Sequence, residues 1–86
     1  MKVSFKPTFI RQFKRLDLGL QQEANEKIEL FEGGQNLTQL KIHKLHGRLA
    51  GWYSFSVNYK TRVVFCYLSK KEVALLAIGD HAVYDK

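Results

Sequence analysis

The chain has 86 residues, 45% hydrophobic and 26% charged, with a net charge of +6, which suits one domain over residues 1–86 and is too little for two. Six glycines and one proline, with no biased tract, exclude a disordered or collagen-like chain, and no apolar run approaches the ~18 residues of a spanning helix or forms the core of a signal peptide. The lone Cys66 has no partner for an internal disulfide, so a cytoplasmic protein with no membrane association is expected.

In chain order, Val3-Ser4-Phe5 alternates as a short strand, and Pro7 sets the backbone for the first turn of a helix. Phe9, Phe13 and Leu16 then recur at helical spacing beside Ile10, with Arg11, Gln12, Lys14 and Arg15 on the other face. Leu18-Gly19 interrupts this helix. Leu20, Ala24, Ile28 and Phe31 mark a second one, ended by Gly33-Gly34. So short a connection makes the two helices an antiparallel hairpin. Residues 35–51 read as a polar connection followed by an extended lead-in with a glycine-rich bend. Trp52 to Val57 alternates as a strand, Asn58-Tyr59-Lys60-Thr61 turns, Arg62 to Leu68 returns, Ser69-Lys70-Lys71 turns again, and Val73 to Ile78 closes the series. The last two strands are apolar on both faces, as interior strands are. The expected fold is α+β, in the order βααβββ, with a helical hairpin packed on a twisted, mainly antiparallel four-stranded sheet.

Charge is segregated along this chain. Residues 1–16 carry five cations and no anion, and residues 17–32 carry Asp17, Glu23, Glu26, Glu29 and Glu32 against Lys27 alone. Residues 33–71 hold Lys41, Lys44, Arg48, Lys60, Arg62, Lys70 and Lys71 without one acid. Cations that only solvated the surface would be interspersed with glutamates, so the simpler cause is a polyanionic partner.

Several chemistries can be set aside. Cys66 lies in mid-strand with no helix N-terminus to activate it and reads as a small core residue, and no serine has nucleophile-elbow glycines. His43 and His46, three apart on an extended segment, point to opposite faces, whereas metal ligands must converge, so no metal is expected. Neither GxGxxG nor GxxxxGK[ST] occurs, so no nucleotide cofactor is implied. A basic half with His43, His46 and His81, Arg62 opening a strand and Tyr84 near the C-terminus remains. RNA is cut through its own 2′-hydroxyl when a base takes that proton, a cation holds the phosphate and an acid protonates the leaving 5′-oxygen. Histidine serves either proton role, and arginine's planar fork matches two phosphate oxygens. Each residue also has a structural role open to it. Arg62 can be a solvated strand end, His81 and Tyr84 can cap the last strand, His43 can pack, and Trp52 reads as core rather than as a base-stacking platform.

The sequence resembles the RelE/ParE superfamily of bacterial toxins over most of its length. The resemblance is carried by Val3-Ser4-Phe5 and Pro7 before a basic, Phe-rich helix, by Lys44-Leu45-His46-Gly47-Arg48-Leu49-Ala50-Gly51-Trp52-Tyr53, by Arg62-Val63-Val64-Phe65, and by Ile78-Gly79-Asp80-His81-Ala82-Val83-Tyr84. It implies a toxin held inactive by a cognate antitoxin. In its RelE-like branch, that toxin is a ribosome-dependent, metal-independent endoribonuclease acting on mRNA without a cofactor. By this resemblance Arg62 meets the scissile phosphate and His81 and Tyr84 act from the tail. The basic loop with Lys44, His46 and Arg48 matches the part of the fold that meets RNA. From the residues themselves, His46 or His43 is expected as a further proton carrier, and Lys41, His43 and Lys60 of the basic half are expected on the RNA-binding side. The alternatives are a ParE-like gyrase inhibitor without nuclease activity and a plain nucleic-acid-binding module.

Overall fold

A computed structural model describes residues 1–34, 37–80 and 83, with Leu37 described in its backbone only. Strand β1 (Lys2–Phe5) runs into helix α1 (Pro7–Lys14), where Pro7 gives up an N–H that the first turn would leave unpaired anyway. Helix α2 (Leu18–Gly33) starts earlier than the apolar spacing from Leu20 implies, because the Asp17 carboxylate accepts the Leu20 N–H at 2.8 Å and caps it. Gly19 therefore lies inside the first turn. The Gln21 side-chain amide donates to the Phe13 and Leu16 carbonyls, both at 3.1 Å. That satisfies the end of α1 and fixes the corner of the hairpin. Gly34, at φ 69°, ends α2 in the left-handed conformation that favours glycine.

The lead-in holds more structure than expected: a helical turn α3 (Leu37–Leu40), a two-residue strand β2 (His43–Lys44) and a 3₁₀ turn over Gly47–Leu49. With β3 (Tyr53–Ser56), β4 (Arg62–Ser69) and β5 (Glu72–Gly79), the sheet has five strands rather than four, in the order β1-β5-β4-β3-β2. A strand of two residues is too short to show alternation in sequence. All neighbours pair antiparallel except β1, which pairs parallel with β5. The interior strands are β3, β4 and β5, and the last two, which lie deepest, are the ones apolar on both faces.

One face of the sheet carries the helices. Phe31 of α2 sits at its centre, with ring centroids 4.8 Å from Phe55 and 4.7 Å from Phe65, among Phe9, Ala24, Ile28, Leu40, Val63 and Leu75. Gln12, placed by its spacing on the outer face of α1, reaches the sheet instead. Its Oε1 accepts the Ile78 N–H at 2.9 Å, just past the point where pairing between β1 and β5 ends at Phe5 and Leu75. A side chain thus pairs a backbone donor that no strand reaches.

Among the described residues, the opposite face bears no α-helix. It is covered by a smaller cluster of Val64, Ala77 and Val83, with Leu45 and Leu76 against it. Leu45, just after β2, and the tail residue Val83 therefore lie over this side. Cys66 lies half-buried on the same face, outside the main core that was expected to hold it. Trp52, also expected in the core, is 37% exposed. Its backbone is held, with its N–H donating to Leu49 and its carbonyl accepting from Leu45, and its ring lies at the surface.

Candidate functional site

The register places four polar side chains on the helix-free face. Ser56 lies opposite Arg62, and Ser54 lies opposite both Val64 and His43. Alternation sends Val63 and Phe65 into the main core and Arg62 and Val64 to the other side. Arg62 and His43, two strands and two residues apart, are about 12 Å from each other by strand geometry. They share a wall without touching.

Arg62 is seated by the turn that precedes it. The Asn58 Oδ1 accepts the N–H groups of Lys60 (2.9 Å) and Thr61 (2.8 Å), and its Nδ2 donates to Glu23 Oε1 of α2 at 3.0 Å. The turn is thereby closed on itself and tied to the helix layer. It presents three carbonyls to one guanidinium nitrogen: Arg62 Nη1 donates to Asn58 (2.7 Å), Tyr59 (3.0 Å) and Thr61 (3.3 Å). Its Nε and Nη2 make no hydrogen bond among the described residues. One end of the fork is anchored, and the rest is available to an oxyanion.

A cavity of about 440 Å³ opens beside this turn, with Lys27, Gln39, Lys41, Ser56, Tyr59 and Arg62 in its wall. Among the described residues, no carboxylate lines it. Its three cations come from three elements: Lys27 from α2, Lys41 from the bend between α3 and β2, and Arg62 from β4. Lys41 stands at φ 54°, the one described non-glycine residue at positive φ. Non-glycine residues rarely accept that region. Glu23, on the same helix as Lys27, accepts from Asn58 rather than lining the cavity.

The remaining candidates are more dispersed. His43 has both ring nitrogens engaged, Nδ1 3.2 Å from the Lys41 carbonyl and Nε2 3.3 Å from Ser54 Oγ. A carbonyl only accepts, so Nδ1 carries a proton, and Nε2 lies within hydrogen-bond distance of the serine hydroxyl. Lys44, opposite Tyr53, has the other side of the strand and faces away from Arg62. Lys60 is exposed at the turn but does not line the cavity. His46 and Arg48 are exposed in the segment after β2, His46 as the residue before the 3₁₀ turn. His81 and Tyr84 lie outside the described residues. Val83, between them, packs against the face that carries Arg62. Among the described residues no three His, Cys, Asp or Glu side chains gather as a metal site would require.

Solved structures share this architecture end to end. YafQ from E. coli strain BL21(DE3) superposes with a TM-score of 0.77 at 14% identity, over 99% of this chain and 98% of its own. The YoeB/ParE toxin from Agrobacterium tumefaciens does so at 0.76 and 18%, over 94% and 99%. The chain has the RelE/ParE toxin fold. The YoeB-YefM toxin-antitoxin complex from Staphylococcus aureus, a heterotetramer, matches at 0.73 and 21%, over 94% and 97%. No protein-family model and no curated protein matches the sequence. Within this toxin fold, the features that sequence reasoning missed are Lys27, Gln39 and Tyr59 in the cavity and Asn58 beneath Arg62. Lys27 did leave a signal, as the single cation in a run of five acids.

Proposed function

We propose that this chain is the toxin of a toxin–antitoxin pair and a ribosome-dependent endoribonuclease that cuts mRNA without a metal. The observation that carries the reading is the half-anchored guanidinium of Arg62 beside a cavity that it shares with Lys27 and Lys41 and that no described carboxylate lines, in a fold whose solved examples include YoeB and YafQ. In this mechanism the 2′-hydroxyl oxygen attacks the adjacent phosphorus and loses its proton to a base. The 5′-oxygen leaves with a proton from an acid, and a 2′,3′-cyclic phosphate remains. Arg62 Nε and Nη2 hold the phosphate oxygens as charge builds on them. His81, Tyr84 and His46 are the proton carriers. His43, whose ring nitrogens are both engaged, orients its own segment rather than carrying protons.

A nuclease that acted freely would harm its host, and the S. aureus structure pairs a toxin of this fold with an antitoxin. The partner assigned to this chain is likewise a co-expressed antitoxin, with acidic residues that neutralise the cationic cavity. The deciding experiment incubates ribosomes, message and protein with chelator and maps the new 5′ ends. Cleavage is expected to fall about 10²–10³-fold in Arg62→Ala. Arg62→Lys should restore little of it, because lysine keeps the charge and loses the fork. Cleavage by Arg62→Ala at the wild-type rate removes the assigned role. Inhibition of gyrase supercoiling without any RNA cleavage assigns the chain to the ParE-like alternative.

A further inference from the structure

The cavity beside Arg62 holds more than one phosphate would use. Lys27 and Lys41 form no ion pair among the described residues, and Ser56 and Gln39 make no side-chain hydrogen bond there. Three cations from separate elements line one cavity, and Lys41 stands at a positive φ that non-glycine residues rarely adopt. Such a lining attracts an anion. At the rim stands Tyr59, 88% exposed and in no ring–ring contact among the described residues. The chain leaves an aromatic ring in water at the one place where its backbone carbonyl also anchors Arg62. The volume of about 440 Å³ lies within the ~300–1,000 Å³ range of small-ligand sites.

We propose that this cavity is a nucleotide subsite for single-stranded RNA. Lys27 and Lys41 take the phosphate next to the one held by Arg62, and Tyr59 stacks on the adjoining base. Gln39 and Ser56 supply hydrogen bonds to the sugar or base edge. The subsite is sequence-tolerant, since any base offers a ring face to Tyr59. The inference rests on the ribonuclease reading for the identity of the polyanion. It differs in assigning substrate grip to residues outside the cleavage chemistry.

The test is fluorescence anisotropy with a labelled single-stranded RNA dodecamer, 2′-O-methylated throughout so that it cannot be cut, titrated against the full chain at several salt concentrations. Tyr59→Ala is expected to weaken binding roughly tenfold or more, with Tyr59→Phe near wild type. Lys27→Gln and Lys41→Gln should each reduce the slope of log K against log salt by about 0.7. Melting temperatures identify any variant that fails to fold, and Tyr59, on an exposed turn, remains informative if a lysine variant does. Wild-type binding by Tyr59→Ala, an unchanged slope in both lysine variants, or an acidic peptide bound in preference to the RNA overturns the subsite. If the ribosome assay finds no cleavage while these binding effects appear, the subsite stands and the nuclease reading falls. Normal cleavage with no binding effect removes the subsite and leaves the nuclease reading in place.

Discussion

At the scale of single residues, Asn58 is the pivot of the candidate site. Its one amide closes the 58–61 turn through Oδ1 and ties that turn to Glu23 through Nδ2, and the carbonyls so fixed hold Arg62. Asn58→Ala leaves two N–H groups and a glutamate oxygen without partners, and should cost about 1–2 kcal/mol in thermal or denaturant unfolding. Asn58→Asp keeps the acceptor but places a carboxylate against Glu23, so it should also destabilise. Combining it with Glu23→Gln restores a donor–acceptor pair with the polarity reversed. The double variant is expected to regain most of the stability that Asn58→Asp loses, and a purely additive double variant would show that Asn58 and Glu23 do not interact.

Among elements, the decisive contact lies between the end of β5 and the tail. Gly79 is paired with Arg62 in the sheet, and a Cβ built on it would stand 2.9 Å from Val83 Cγ1. The close approach holds Val83, the one described residue of the tail, against Val64 and Ala77 on the face that carries Arg62. Gly79→Ala should push Val83 off the sheet and lower cleavage by about tenfold or more, since small misplacement of catalytic groups lowers rates steeply. Adding Val83→Ala removes the clash and should recover part of that activity. A double variant no better than Gly79→Ala would refute steric seating of the tail. Much of this element scale was legible in sequence: the hairpin from the spacing of Phe9, Phe13, Ala24 and Ile28, and the strand pair from alternation around Asn58. What was not legible depends on contacts across elements. His43–Lys44 is a strand only because Tyr53 and Ser54 lie beside it. Lys27 belongs to the cavity only because α2 passes over the 58–61 turn, and Gln12 faces inward because the Ile78 N–H lies beyond the end of β1 and takes its side chain as acceptor.

On the scale of the whole molecule, the long acid-free stretch from 33 to 71 does not fold into one basic patch. Lys44 lies level with the middle of β4 and Arg48 in the 3₁₀ turn, and others of its cations stand at the two ends of β4. Arg62 and Lys41 stand at one end, while Lys70 and Lys71 line a separate depression with Lys2 at the other, seven residues or about 23 Å along the strand. That distance exceeds the ~8 Å screening length at physiological salt more than twofold. The far cluster can steer a polyanion but cannot grip the part of it held at Arg62. The paired change Lys70→Gln with Lys71→Gln is therefore expected to leave RNA affinity at about 150 mM salt within about twofold of wild type. It should slow association chiefly at low salt, where the screening length reaches ~30 Å at 0.01 M. Lys27→Gln with Lys41→Gln removes the same number of charges and should weaken affinity at both salt concentrations. Stopped-flow association and equilibrium titration at the two salts separate these effects. Equal losses from the two pairs at the higher salt would mean that RNA runs the length of β4, with the basic stretch acting as one continuous track.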